Sequence, residues 1–235
     1  MARRNRNWLP DSCYHITHRC NNQEFFFKFD KYKKFYKRQL FLMKNCYKVD
    51  ILDYMITSNH VHLLVSIKDG KEVSEGLRFL HGRVGQYYNQ QTKSSGAFWG
   101  DRFHATRIQN GKHLGSCLFY IDLNMVRAGV VEHPAEWAFG SYNEFIEKTQ
   151  RCCIINKVEL IRSLGVDDFD NFKKWYLLTL DDKLRDMAAS KQAFWSKAVA
   201  VGARDWLNKE AEKMGVKRYR VFEAGNEQFF IGKAQ

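Results

Sequence analysis

The sequence has only two prolines in 235 residues, no internal repeat and no low-complexity tract, so no proline-rich linker divides it. It has no stretch of about 18 uncharged apolar residues, which excludes a membrane-spanning helix. Its six cysteines (Cys13, Cys20, Cys46, Cys117, Cys152 and Cys153) show no C-x-x-C spacing, and two of them are adjacent. That pattern excludes a zinc ribbon and suggests no disulfide framework, so reduced, mostly buried thiols are expected. Acidic residues are the minority charge, 26 against 38 Lys and Arg, giving +12 and a pI near 9.4. Such a balance favours a polyanionic partner, nucleic acid or an anionic membrane surface, and does not choose between them. The arginines near the start (Arg3, Arg4, Arg6) are followed by no apolar signal core. A soluble cytoplasmic protein without membrane association is expected.

With 45% hydrophobic residues the chain can bury a core, as one domain or one domain with a modest extension. Tyr14-His15-Ile16-Thr17-His18 alternates as a strand does. From Asp30, a candidate N-cap, Tyr32, Phe35, Tyr36, Leu40, Met43 and Tyr47 recur at helical spacing. Val49 to Ile67 holds two apolar stretches broken by Thr57-Ser58-Asn59, the pattern of a β-hairpin. A second helix follows through Val73, Leu77, Leu80 and Val84, where Gly76, Gly82 and Gly85 permit close approach of another backbone. Phe103 to Ile108 reads as a fourth strand, and Asn110 as the cap of a third helix reaching about Arg127 before Gly129.

The order β-α-β-β-α-β-α predicts an α+β, ferredoxin-like (split βαβ) antiparallel sheet with helices on one face and the other face free for a ligand. The boundaries expected are a catalytic domain over residues 1–145 and a mainly helical extension over 146–235, ending in a hairpin from Tyr219 to Ile231. Charge follows that division loosely, with 22 basic and 14 acidic residues in 1–150.

Side chains two apart on a strand share a face, so His60 and His62 project together while Val61, Leu63, Val65 and Ile67 point into a core. Two imidazoles suit a first-row divalent metal, and a third, oxygen ligand from elsewhere would leave positions open for a phosphate. On spacing alone, surface or hydrogen-bonding roles for the two histidines stay open. Tyr120 and Asn124 are four apart, on one face of the third helix, able to bring a phenol and an amide oxygen to the same place. A tyrosine can attack a phosphodiester and form a covalent intermediate. Arg102 and Arg107, with the arm Arg3, Arg4 and Arg6, are candidate phosphate contacts. His15 and His18 read as structural or phosphate-adjacent, and Phe98, Trp99 and Phe103 as packing anchors.

Tyr14-His15-Ile16, Ser58-Asn59-His60-Val61-His62-Leu63-Leu64, Phe98-Trp99-Gly100-Asp101-Arg102-Phe103 and Tyr120-Ile121-Asp122-Leu123-Asn124-Met125-Val126-Arg127-Ala128-Gly129 occur in that order. Over roughly residues 1–145 the chain resembles the REP-associated tyrosine transposases, a branch of the single-tyrosine HUH transposases. The resemblance implies that His60, His62 and Asn124 hold Mg²⁺ or Mn²⁺ and that Tyr120 is the nucleophile, becoming linked to a DNA 5′-phosphate. It further implies a ferredoxin-like sheet, action on single-stranded or hairpin DNA of repetitive extragenic palindromes, and a monomer in preference to the dimer common among single-tyrosine relatives. Asn124-Met125 stands where the family often has Asn-Pro, and proline there would tend to bend or break the helix.

Two other enzyme classes fail on the residues. A histidine-triad hydrolase needs a third alternating histidine where Leu64 stands, and a phosphoesterase with two His-x-Thr/Ser motifs lacks a second copy of His15-Ile16-Thr17. A non-enzymatic alternative is a domesticated, catalytically lapsed protein that binds single-stranded DNA or RNA hairpins on its basic sheet. A denaturation-resistant protein–DNA adduct separates the two.

Overall fold

The computed structural model describes residues 8–146, 153–185, 194–213, 219–225 and 228–233. Strand β1 (Ser12–Arg19) alternates, sending Tyr14, Ile16 and His18 to one face and Cys13, His15 and Thr17 to the other. Helix α1 (Asp30–Tyr47) buries Tyr32, Tyr36, Leu40 and Met43 and stops at Lys48, which adopts the left-handed conformation. Strands β2 (Asp50–Ile56) and β3 (His60–Ile67) flank the expected turn. Helix α2 (Gly70–Thr92) is capped by Asp69, whose carboxylate accepts from the Lys71 N–H at 2.7 Å. Strand β4 (His104–Ile108) leads to α3 (Lys112–Asp122), whose cap is Gly111 at φ 74° rather than Asn110. Short helices α4 (Asn124–Arg127) and α5 (Tyr142–Ile146) follow.

These strands lie in the order β2-β3-β1-β4, each antiparallel to its neighbour, so the protein is α+β with a ferredoxin-like sheet. Helices α1 and α2 pack together on the face that carries Tyr14, Ile16 and His18. One glycine makes that packing possible. A Cβ on Gly76 would sit 2.9 Å from Met43 Cγ, whereas Gly82 has nothing within 4 Å and serves no close approach.

The opposite face, expected to be open, is largely covered. Helix α6 (Lys157–Leu164) reaches it through Glu159, which accepts from Ser66 Oγ at 2.7 Å, and α8 (Phe194–Lys197) lies over His15. The physical reason is in β1 and β3 themselves: Cys13 and Leu64 on that face are apolar and must be buried like their neighbours. Helix α7 (Phe169–Arg185) packs outside α3, and Tyr176 donates to Asp122 at 2.6 Å. Asp122 and Asp53 are both fully buried and share the hydroxyl of Ser141. Burial raises the pKa of both; in Asp53 the charge of Asp122 adds to it, and in Asp122, pushed up to about 7, the bonds from Tyr176 and Ser141 oppose it.

The segment after α5 contributes strands as well as helices. Strand β5 (Ala200–Gly202), too short to show a sequence period, pairs parallel to β4. Helix α9 (Arg204–Lys213) precedes the expected hairpin of β6 (Tyr219–Gly225) and β7 (Gln228–Lys233), and β7 pairs with β5. The sheet therefore continues to seven strands, β2-β3-β1-β4-β5-β7-β6. Cys13, Cys20 and Cys117 are buried free thiols, Cys46 is exposed, and Cys152 lies outside the described residues. Among the described residues no helix is long and apolar enough to cross a membrane.

Candidate active site

The turn before β3 orients His60. The Thr57 hydroxyl donates its single proton to the His60 carbonyl at 2.8 Å, so it can only accept from His60 Nδ1, 2.9 Å away. Asn59 Oδ1 lies 2.7 Å from the same nitrogen. His60 Nδ1 is therefore a protonated nitrogen that donates to its own turn. The His62 ring lies 4.8 Å from the His60 ring, centroid to centroid.

His62 is buried, contrary to the expectation that both side chains simply stand clear of the core. Its Nδ1 lies 2.8 Å from His15 Nε2, and its Nε2 lies 3.2 Å from Asn124 Nδ2. His15 Nδ1 in turn lies 2.8 Å from the Trp195 carbonyl. Burial lowers the His62 pKa well below the usual imidazole value, with repulsion from His60 and His15 adding to it. Burial likewise lowers His15 to about 4, against the opposing effect of the Trp195 carbonyl. Both rings are neutral at physiological pH.

Tyr120 is half-buried at the end of α3, its ring 5.8 Å from the rings of both His15 and His62. Its phenol lies 3.1 Å from Ser196 Oγ on α8, and the Arg127 guanidinium lies 4.7 Å above its ring. Tyr120 and Asn124 do not share one continuous helix. The helix is interrupted at Leu123 (φ −82°, ψ 6°), and the Tyr120 carbonyl accepts from Arg127 Nη2, a side chain intruding on the helical ladder. The break thus falls at Leu123, just before Asn124-Met125, without a proline. Phenol and amide nevertheless converge on His62.

The residues fit a divalent cation by donor chemistry: the neutral His62 imidazole, the His60 ring 4.8 Å from it, and an Asn124 amide whose oxygen would have to turn toward them. Among the described residues no group of three His, Cys, Asp or Glu is placed to hold a metal.

The candidate phosphate contacts divide. Arg102 is exposed and lines a cleft of about 1020 Å³ with Trp8, Lys71, Arg78, His81 and Trp99, on the α2 side of the sheet. Arg107 is not a surface contact: it is buried, ion-paired with Glu210 of α9, bonded to Ser12 Oγ at 2.8 Å and stacked 5.4 Å from Trp206. Arg3, Arg4 and Arg6 lie outside the described residues. His18 stacks on Trp99 at 4.1 Å and bonds the Asp101 carbonyl at 2.8 Å, away from Tyr120. Phe98 is a buried anchor, and Trp99 Nε1 donates to the His81 carbonyl at 2.9 Å. The residues that sequence reasoning left out of the site are His15, Trp195 and Ser196. Only His15 had a signal for the site, its place next to the His62 strand face; the other two come from Phe194-Trp195-Ser196-Lys197, which is similar to extensions on longer members of the group and has no role assignable from sequence.

Residues 9–124 match the profile of a family described as "Transposase IS200 like". Among solved structures, a REP-associated tyrosine transposase bound to a REP hairpin is similar in fold, with a TM-score of 0.52 and 17% identity over 63% of this chain and 87% of that one. A transposase structure from Deinococcus radiodurans R1, itself named as putative, covers 55% of this chain and 97% of its own, with a TM-score of 0.37 and 11% identity. No curated protein sequence matches. Through its residues 9–124 the chain is similar to the family of IS200-like transposases.

Proposed function

We propose that the protein cuts and rejoins single-stranded DNA at hairpin-forming palindromic repeats, with Tyr120 as nucleophile and His60, His62 and Asn124 holding Mn²⁺ or Mg²⁺. The observation that carries this reading is the convergence of three side chains from separate elements. Tyr120 lies with its ring 5.8 Å from His62, whose Nε2 faces Asn124 at 3.2 Å. The net charge of +12 supports a polyanionic substrate, and the REP hairpin held by the similar structure supports hairpin DNA.

In the forward step the Tyr120 oxygen attacks the phosphorus of the scissile phosphodiester and its proton leaves to solvent. The bond from phosphorus to the 3′ oxygen breaks, that oxygen takes up a proton, and the 5′-phosphate stays esterified to the tyrosine. Attack by another 3′-hydroxyl reverses the exchange, joins the strands and restores the phenol. A bound divalent ion would polarise the phosphoryl oxygen and ease departure of the 3′ oxygen. Arg127 stacks over the Tyr120 ring and helps hold it in place. Ser196 Oγ lies 3.1 Å from the phenol oxygen, within hydrogen-bonding reach.

The test is incubation of the full chain with a labelled hairpin oligonucleotide carrying single-stranded flanks, in Mn²⁺ or Mg²⁺. A denaturation-resistant adduct that excess chelator abolishes is the expected result. Binding without any adduct in either metal would favour a lapsed, binding-only protein.

A further inference from the structure

We propose that His15 is a positioning residue which, with the backbone carbonyl of Trp195, fixes the tautomer of His62 so that its Nε2 lone pair faces the candidate metal position. The inference rests on the metal site proposed above. It also gives the segment beyond the family match a role, because Trp195 is 180 residues from His15 and outside residues 9–124.

The argument runs along a line of hydrogen bonds with one fixed end. A carbonyl oxygen can only accept, so the His15 nitrogen 2.8 Å from Trp195 O is the one that carries hydrogen. In a neutral imidazole the other nitrogen is then a bare acceptor. That nitrogen, Nε2, lies 2.8 Å from His62 Nδ1, so His62 must donate there. Neutral His62 is left with its lone pair on Nε2.

The geometry is held rigidly. The two rings lie nearly parallel, 10° apart with centroids at 5.0 Å, and both are fully enclosed. Trp195 is itself completely buried, so its carbonyl is a fixed reference rather than a mobile arm. The neighbouring Ala198 carbonyl accepts from Thr106 Oγ1 at 2.8 Å and lies 2.8 Å from His104 Nε2, pinning the same segment to β4. His60 needs no such relay, since Thr57 and Asn59 of its own turn hold its Nδ1 as a donor. The two imidazoles are therefore oriented by different parts of the chain, one by the local turn and one by the C-terminal extension. A metal-bound imidazole usually donates its second nitrogen to a carbonyl or carboxylate; here a second histidine stands between ligand and carbonyl.

The test combines ring-nitrogen NMR with metal titration on the full chain. Long-range ¹H–¹⁵N correlation in the absence of metal should show His62 protonated at Nδ1 and bare at Nε2. His15→Gln preserves a donor toward Trp195 and an acceptor toward His62, and should keep Mn²⁺ affinity within about threefold. His15→Leu removes both and should weaken Mn²⁺ binding by about 10- to 100-fold and mix the His62 tautomers. An Nε2–H tautomer of His62 in the unsubstituted protein would overturn the proposal, even if His15→Leu fails to fold. So would Mn²⁺ affinity unchanged in a folded His15→Leu. If the expected tautomer is seen but the unsubstituted protein binds no Mn²⁺, the proposed metal site fails while the relay stands.

Discussion

The Tyr120 phenol lies 3.1 Å from the Ser196 hydroxyl, so the proposed nucleophile is tethered by a residue 76 positions further along the chain. We predict that this bond holds the resting arrangement and opens before the phenol attacks phosphorus. Its net worth is about 1 kcal/mol, the usual value for an intramolecular hydrogen bond. Ser196→Ala should accordingly raise the single-turnover cleavage rate about threefold to tenfold, with oligonucleotide affinity unchanged. A fall in that rate would mean that Ser196 aligns the attack instead.

Glycine at two positions of α2 should respond in opposite directions. Gly76→Ala places a methyl 2.9 Å from Met43 Cγ and 3.3 Å from Val49 Cγ2, which overpacks the α1–α2 contact and should destabilise by about 1–3 kcal/mol. Gly82→Ala meets nothing within 4 Å and should stabilise by about 0.5–1 kcal/mol through helix propensity. Urea midpoints of the two variants decide the matter.

The buried carboxyls beneath α3 make stability depend on pH. Asp122 is raised from 3.8 to about 7, so between those values the native state holds more protons than the unfolded chain. Its contribution is present at low pH and lost as pH rises toward 7. Asp122→Asn cannot ionise, and its stability relative to the unsubstituted protein should improve steadily from pH 4.5 to 7.5. His15 and His62, with lowered pKa values, act in the opposite sense below about 6.5 but do so in both proteins. Parallel stability curves would refute the role of Asp122.

Arg107 and Arg102, alike as sequence candidates, should separate cleanly. Arg107→Ala strands Glu210 without its buried partner and should cost roughly 3–5 kcal/mol of stability. Arg102→Ala, at an exposed site, should leave stability within about 0.5 kcal/mol. It should weaken hairpin-DNA binding and reduce the salt slope by about one. Denaturation and salt-dependent gel shifts on both variants read the two effects independently.

Local periodicity carried the part of the fold that comes from strands and helices long enough to show it. The alternation of Tyr14 to His18, the hairpin around Thr57-Ser58-Asn59 and the spacing of Tyr32, Tyr36, Leu40 and Met43 all reappear in the structure. Features set by long-range partners did not announce themselves. Arg107 looks like a surface cation until Glu210, 103 residues away, is folded against it. Three residues of β5 hold no pattern, and the break at Leu123 depends on a side chain reaching back to the Tyr120 carbonyl. In the site, His60, His62, Tyr120 and Asn124 were legible through their spacings and the family resemblance. The coupling of His62 to Trp195 through His15 was not, because no local rule links a strand histidine to a carbonyl so distant in sequence.

The central claim is that Tyr120 attacks DNA, and Tyr120→Phe tests it most directly. The substitution removes the phenolic oxygen and keeps the ring that packs against Trp195 at 5.9 Å and under Arg127, so fold and DNA affinity should persist. With a labelled hairpin oligonucleotide and Mn²⁺, the unsubstituted protein should give a denaturation-resistant adduct and Tyr120→Phe none, while both shift the oligonucleotide equally in a gel. An adduct of undiminished yield in Tyr120→Phe would contradict the account, and peptide mapping would then identify the residue that is the nucleophile.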